Sequence, residues 1–260
     1  MMSQMVTSES RSVQKLLEYV TKNFPITTII LFGSRARRKV DLFSDIDLLV
    51  IFDSSRINEE ELPLGHKLRD LIPENVFPKD KPLSFSVYST EGFACSYRRG
   101  SLFILHIINE GTVLFDLGFY NTLRKSNFRL SDSELKGTLQ MLSDRLDITN
   151  DLRKFNSYFI RTYTIFYSIL RTLSFVASAS KDKPVFDRNQ AIALFMELYP
   201  RRKAMIQQLA SLRPFYLRNI KGADVALPFA PDSVDNVIYF RDHLREMLVE
   251  VMTDVESKYH

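Results

Sequence analysis

The segment from Thr27 to Phe52 constrains the fold of this chain more than any other part of the sequence. It contains two apolar runs rich in β-branched residues, separated by a glycine–serine pair and a basic turn from Arg35 to Lys39. Short apolar runs of this composition are typical of buried strands. The segment therefore predicts two neighbouring strands, with polar residues where the first ends and the second begins.

Two aspartates open the second of these strands. Because side chains in a strand alternate between its faces, Asp45 and Asp47 share one face with Leu49 and Ile51. Two adjacent carboxylates repel one another, and a cation with oxygen ligands between them relieves that repulsion. The pair therefore predicts a site for a divalent cation, with Asp45 and Asp47 as its ligands.

The turn before the second strand has the features of a phosphate-binding site. Gly33 allows the backbone to approach a ligand closely, and Ser34 is placed to cap a helix that follows. The amino end of a helix binds phosphate through its free backbone amides. A phosphate-binding turn beside a metal-binding acid pair indicates nucleotide chemistry.

The order Gly33-Ser34, ten residues and then Asp45-x-Asp47 between apolar strands resembles the signature of the DNA polymerase beta-type nucleotidyltransferase superfamily. Gly-Ser-Arg-Ala-Arg followed by Ser-Asp-Ile-Asp is most similar to the minimal nucleotidyltransferases. The resemblance implies transfer of a nucleoside monophosphate from a nucleoside triphosphate to a hydroxyl, with two magnesium ions at the acid pair. The implied nucleotide-binding residues are Gly33, Ser34, Arg35, Arg37 and Ser44, with the arginines neutralising phosphate charge.

One position departs from the family's pattern. Family members usually add a third carboxylate from a following strand, but the matching strand, Leu83 to Tyr88, offers Ser84 and Ser86. Glu91 is the nearest acid in the sequence and Asp53 the next, so Glu91 completes the predicted catalytic set with the two aspartates. Alternatively, one metal is held weakly, or the chain is a nucleotide-binding regulatory module whose active site has degenerated at Ser84.

The acceptor stays open at this stage. Proteins of the resembling group modify a partner toxin, transfer RNA or aminoglycoside-like drugs, so RNA, protein and small molecules are all expected acceptors. A toxin–antitoxin or defence setting is one expectation. The groups that act on transfer RNA and on drugs usually carry a helical second domain that forms part of the acceptor site.

The expected fold class is α+β. A small mixed sheet flanked by helices, the nucleotidyltransferase fold, is expected over residues 1–118, followed by an all-α helical bundle over residues 119–260. The central helix of the bundle is predicted to run through Leu152, Phe155 and Phe159 and to be buried nearly all round. Its aromatic residues are those of a core more than of a base-stacking surface. Capped helix starts are predicted at Ser131 and Asp187.

The stretch between Leu198 and Ala223 is basic and contains no acid. Two interpretations remain: it binds RNA or a triphosphate tail, or it is a solvated helix face that balances an acidic last helix. We favour the second. The basic residues are Arg201, Arg202, Lys203, Arg213, Arg218 and Lys221, and the acidic ones are Asp242, Glu246, Glu250 and Asp254.

The cysteine and histidine content indicates the cellular compartment and limits the kinds of metal site that the chain can form. The chain of 260 residues has a single cysteine, Cys95, which excludes an internal disulfide and is typical of a reducing compartment. The four histidines are isolated in the sequence, so a Cys/His metal cluster is not expected. No apolar run is long enough to cross a bilayer, and the polar start lacks a signal-peptide core. We expect a cytoplasmic protein without a membrane partner.

Overall fold

The computed structural model describes residues 2–37, 44–80, 82–152 and 158–257, with side chains described from residue 11 onward. The chain divides into two compact units, Met1–Arg129 and Leu130–His260. We call the first the sheet unit and the second the helical unit. This arrangement has the predicted α+β class.

The sheet unit is a four-stranded mixed sheet with helices on both faces. Its order is β3-β2-β1-β4, with β1 antiparallel to β2 and β4, and β2 parallel to β3. The strands are β1 (Ile26–Phe32), β2 (Ile46–Phe52), β3 (Leu83–Ser89) and β4 (Thr112–Asp116). The helices are α1 (Met2–Asn23), α2 (Gly33–Ala36), α3 (Gly65–Asp70), α4 (Thr90–Arg98), α5 (Leu102–Glu110) and α6 (Phe119–Leu123).

Alternation along β2 supplies both cores of this unit. Leu48 and Val50 pack on one face with Leu16 and Val20 of α1. The next residues along the strand pack on the other face with the helices that follow β3, in a cluster that contains Leu49, Ile51, Phe93, Ile104, Ile107 and Tyr120. Because β2 is central and covered on both faces, it is a continuous apolar run. The buried part of β2 has no charged side chain, and the two aspartates lie where the strand begins.

The sheet unit extends past Gly118, the predicted boundary, to Arg129. Tyr120 of α6 is buried in the second core. The ring of Phe128 lies 5.2 Å from that of Tyr97, in an edge-to-face contact. The segment belongs to the sheet unit because these rings complete its core.

The helical unit is built around α8, whose side chains are buried on nearly every side, as predicted. α7, α9, α10, α11 and α12 all pack against it. Its aromatic residues form a core: Tyr163 contacts Phe166, Phe215 and Phe240. The helices are α7 (Asp132–Asp147), α8 (Ile160–Ser180), α9 (Arg188–Leu198), α10 (Lys203–Ala210), α11 (Arg213–Lys221) and α12 (Val234–Ser257).

Two local predictions for this unit are corrected by the structure. α8 begins at Ile160, so Leu152 precedes the helix, and Phe155 lies outside the described residues. The amide of Phe159 donates to the carbonyl of Pro231 at 2.6 Å, a tertiary contact that fixes this start. Ser131 does not cap α7, because its hydroxyl bonds that of Ser133 instead.

The capped start predicted for α9 is confirmed. Asp187 caps α9 by accepting from the amide of Gln190 at 3.0 Å. Arg202 pairs with Glu246 and Glu250 of α12, as expected if the basic stretch balances the last helix. Within the described residues, no helix combines the length and apolar character needed to cross a bilayer.

Candidate active site

The glycine at the end of β1 brings the phosphate-binding turn against the acid pair. Phe32, the residue before it, lies directly opposite Asp47 in the β1–β2 register. Gly33 has a φ of +74°, a backbone conformation that side chains disfavour. A Cβ atom at Gly33 would lie 2.7 Å from Oδ2 of Asp47. Only glycine therefore lets this turn approach the carboxylate so closely.

The turn continues as the single-turn helix α2. Ser34 lies inside α2 rather than at its cap, because the capping position is occupied by Phe32, which makes no side-chain cap bond. The predicted capping role of Ser34 is therefore wrong. The first amides of any helix have no acceptor within it. Those of Gly33 and Ser34 are accordingly the groups at this turn that suit a phosphate.

Arg35 fixes the chain just before β2. Its Nε donates to the carbonyl of Asp45 and its Nη2 to the carbonyl of Ser44, both at 3.2 Å. Ser44 is buried and Asp45 half-buried. The contact assigns Arg35 a structural part in placing the first aspartate, and its predicted contact with phosphate stays a prediction.

Arg37 is held by an acid that the sequence analysis did not single out. Its Nη1 donates to Oε2 of Glu110, which also bonds Nε2 of His106 at 2.9 Å. These three side chains, which we call the Glu110 cluster, are less than one-fifth exposed. Glu110 ends α5, where a negative charge is unfavourable next to the helix carboxyl end, and the two basic partners offset that cost.

The Glu110 cluster lies on the same face of the sheet as Asp47. The ring of His106 meets that of Phe32 edge-on at 5.6 Å between centroids, and Phe32 is opposite Asp47. The sequence carried one indication of this cluster, an acid at the end of an otherwise apolar helix. His106 lies four residues before Glu110 on the same helix, but Arg37 is far away in the chain, so periodicity could not identify that partner.

The β2–β3 register separates Glu91 from the acid pair. Ser84 is the residue opposite Asp47, and β3 continues to Ser89 before α4 begins. At about 3.3 Å per residue, that separation is about 16 Å along the sheet. The amide of Glu91 instead donates to the hydroxyl of Ser54, beyond the far end of β2. The structure therefore does not bring Glu91 to the acid pair, and its catalytic role stays a prediction that this geometry does not support.

Asp53, the other acid considered, lies at the same far end. Its carboxylate accepts bonds from the side chain and the amide of Ser55, and these bonds lower its pKa below the ordinary value. It stabilises a local turn. In the β2–β3 pairing, the residue opposite Asp47 is therefore the exposed Ser84, which is not an acid.

The donor set at the start of β2 fits magnesium. Among the described residues, no group of three or more His, Cys, Asp or Glu side chains is arranged to hold a metal by itself. Magnesium in nucleotide-binding proteins is usually held by one or two carboxylates together with substrate phosphates. Asp45 and Asp47, beside a turn that a Cβ atom would close, supply that set.

Comparisons with known proteins agree with this geometry. Residues 14–87 match the family described as Polymerase beta, Nucleotidyltransferase. A search of curated proteins finds no match. Among solved structures, spectinomycin adenyltransferase AAD(9) from Enterococcus faecialis, with ATP and spectinomycin, has a TM-score of 0.52 at 12% identity. The match covers 91% of this chain and 98% of that one.

A second solved structure, a nucleotidyltransferase-like protein from Exiguobacterium sibiricum, has a TM-score of 0.33 at 15% identity. That match covers 96% of this chain and 75% of the other. The fold, the Gly33 turn and the family match define the class: the chain carries a nucleotidyltransferase domain of the polymerase beta type. It is an enzyme of the nucleotidyltransferase class.

Proposed function

We propose that this enzyme transfers a nucleoside monophosphate from a nucleoside triphosphate to a hydroxyl of a small molecule. The observation that carries the proposal is the contact between the Gly33 turn and the Asp47 carboxylate. This close approach supports a site in which phosphate-binding backbone amides lie beside a metal-binding carboxylate. That combination suits a triphosphate whose charge is shared between backbone amides and a divalent cation.

In this proposal, the residues at the site have separate roles in the reaction. The amides of Gly33 and Ser34 bind the β and γ phosphates and orient the α-phosphate. Arg35 fixes the backbone of Ser44 and Asp45, so that the acid pair is already in place before substrate binds. The oxygen of the acceptor hydroxyl then forms a bond to the α-phosphorus while its proton passes to solvent, the bond to the β-phosphate oxygen breaks, and pyrophosphate leaves.

Magnesium is the cofactor that Asp45 and Asp47 would hold. When bound, it stabilises the negative charge on the attacking and leaving oxygens. The number of ions, expected to be two, stays a prediction.

The length and layout of the chain favour a small acceptor. AAD(9), which was solved with ATP and spectinomycin, shares its sheet-plus-helices layout over 98% of its own length. In this chain the sheet unit is followed by a helical unit that is about as long as the sheet unit itself. The experiment below must therefore distinguish a small-molecule acceptor from RNA and from protein. A toxin–antitoxin or defence setting stays a prediction.

A second candidate function is nucleotide binding without transfer. The observation that favours it is Ser84, which occupies the register position opposite Asp47. A serine cannot take the acceptor's proton at neutral pH without help. If no other base acts, the site would hold a nucleotide and its metal as a sensor.

The test is transfer of label from each of four α-labelled nucleoside triphosphates, with magnesium, to a small-molecule extract, to RNA and to protein. We expect label on a small molecule, and loss of about a hundred-fold or more of this activity in Asp47→Asn, because the cation loses a ligand. Glu91→Gln is the matched control and should keep wild-type activity, since Glu91 lies at the other end of the sheet.

Three results would count against the proposal. Label on RNA or protein alone would exclude a small acceptor. Nucleotide binding without release of pyrophosphate would favour the sensor. Equal losses in Glu91→Gln and Asp47→Asn would place the chemistry away from the Gly33 turn.

A further inference from the structure

Glu110 takes no part in the proposed reaction, yet it is connected to both ends of the Gly33 turn. Its Oε2 atom accepts from Nη1 of Arg37, which directly follows α2, and bonds Nε2 of His106. Each side chain of this Glu110 cluster is less than one-fifth exposed. A carboxylate that is largely withdrawn from water and bonded to two basic groups is held in one position.

Arg37 connects the cluster to the carboxyl side of the turn. Its amide donates to the carbonyl of Gly33 at 3.3 Å, the bond that closes the single turn of α2. The main chain of Arg37 is therefore fixed to Gly33, while its side chain is fixed to Glu110. Because one residue makes both bonds, the position of Glu110 influences the peptide that approaches Asp47.

His106 connects the cluster to the amino side of the turn. Its ring meets that of Phe32 at 5.6 Å and that of Phe103 at 6.5 Å between centroids, both edge-on. Phe32 ends β1, directly before Gly33. Rings packed edge-to-face limit one another's orientation. The imidazole that bonds Glu110 therefore also supports the last residue of β1.

The backbone around Glu110 is itself fixed on the sheet. α5 ends at Glu110, and the amide of Gly111 donates to the carbonyl of Ile107 at 2.9 Å. A Cβ atom at Gly111 would lie 2.5 Å from that carbonyl oxygen and 2.8 Å from Cγ2 of Ile30. The chain passes β1 so closely that only glycine fits there without a shift. Glu110 is therefore carried by a helix that is packed on the sheet, a placement that suits a supporting residue.

We infer that Glu110 is a positioning residue for the β and γ phosphates of the nucleoside triphosphate. Through its two basic partners it holds the Gly33 turn in the conformation in which the backbone amides bind phosphate. Glu110 does not touch the substrate in this role. The inference rests on the proposed function, since it requires a triphosphate at this turn. A binding group that is in place before the ligand arrives avoids the cost of ordering it, which strengthens binding.

The test is calorimetric titration of the full chain with each of the four common nucleoside triphosphates and magnesium. Glu110→Ala should bind the triphosphate that wild type prefers about ten-fold or more weakly, because a charge-assisted bond that orders the turn is lost. Glu110→Gln should fall between them, since its amide oxygen still accepts from Arg37 but carries no charge. Glu74→Ala, at an exposed acid of the same unit, should match wild type.

A second set of measurements separates positioning from a general loss of structure. In an Arg37→Met background, Glu110→Ala should weaken binding further by only about two-fold, because the connection to the turn is already broken. Hydrogen exchange of the free protein should be faster over residues 32–37 in Glu110→Ala than in Glu74→Ala. Circular dichroism shows whether each variant is folded, and Glu110→Gln carries the test if Glu110→Ala is not.

The possible failures of the inference and of the proposed function are distinguishable. Equal binding by wild type and Glu110→Ala would overturn the inference and leave the proposed function standing. Fully additive losses in the double variant would also overturn it, because Glu110 would then act independently of Arg37. Triphosphate binding without transfer, together with a loss in Glu110→Ala, would support the inference although the proposed function fails. If wild type binds none of the four triphosphates, both fail.

Discussion

Single residues set the geometry of the candidate active site. Gly33 combines a positive φ with the close approach of Asp47, so its side chain is excluded for two independent reasons. Arg35 of α2 contacts the backbone before β2, whereas Arg37, directly after α2, contacts Glu110. Both arginines therefore help to hold the turn in position.

Gly33→Ala is expected to damage both stability and nucleotide binding. The left-handed backbone costs an L-residue about 1–2 kcal/mol, and the new methyl would push the Asp47 carboxylate aside. Chemical denaturation should show a loss of about that size, and calorimetric titration with ATP and magnesium should show little or no heat.

Gly137→Ala is the matched control. This glycine is inside α7, and a Cβ there meets nothing within 4 Å. Alanine should stabilise the helix by about 0.5–1 kcal/mol and leave nucleotide binding unchanged. Wild-type binding and stability in Gly33→Ala would mean that the turn does not approach the acid pair as described.

At the scale of elements, the ends of helices in the helical unit are joined through carboxylates of α12. Asp254 accepts from Lys181 at 2.9 Å and from Tyr199 at 2.8 Å. Lys181 and Tyr199 are the residues directly after α8 and α9. Burial raises the pKa of Asp254, but the bonds from Lys181 and Tyr199 outweigh it and lower the pKa below 3.8. Ionised Asp254 therefore stabilises this unit.

The lowered pKa gives a direction for the dependence of stability on pH. A carboxyl group whose pKa is lower in the folded state contributes its stability above the unfolded value of 3.8, and loses it as the pH falls through the folded pKa. Asp254→Asn should therefore reduce the urea midpoint at pH 7 and make it less sensitive to acid between pH 5 and 3.

Glu197→Gln, on the exposed face of α9, is the control for this effect and should follow wild type at both ends of the range. A wild-type acid profile in Asp254→Asn would show that the bonds from Lys181 and Tyr199 do not persist in solution.

For the whole molecule, the dominant feature is that each unit buries a central element of its own. The sheet unit buries β2 between two layers of helices, and the helical unit buries α8 at its centre. Each unit is of a size that ordinarily supports its own core. Local loss of core packing should therefore be felt mainly within the unit that contains it.

Ile169→Ala tests this independence. Ile169 of α8 is fully buried, so its truncation should cost about 2–5 kcal/mol. Hydrogen exchange followed by mass spectrometry should show faster exchange in α7 to α12 and near wild-type exchange in β1 to β4. Ile220→Ala, at an exposed position of α11, should change neither. Equal acceleration in both units would show that they unfold together.

Local patterns in the sequence were sufficient for the elements and for the acid pair. The apolar runs predicted the strands, the positions of Asp45 and Asp47 followed from strand alternation, and the aromatic series predicted a buried helix. Such features depend on periods of two or 3.6 residues, so neighbouring residues determine them. The cap bond predicted at Ser131 is replaced by a local bond to the hydroxyl of Ser133, and the predicted start of α8 is overridden by the tertiary contact of Phe159 with Pro231.

The sequence by itself determined the fold class and the positions of Gly33 and Asp47 on neighbouring strands, because both depend on short-range order. Only the tertiary structure decided which partners the charged residues have. The strand register moved Glu91 away from the acids, and the return of α5 to the sheet joined Glu110 to Arg37. These contacts join residues that are far apart in the chain. Such pairs leave no periodic pattern in a single sequence, so only the folded structure shows them.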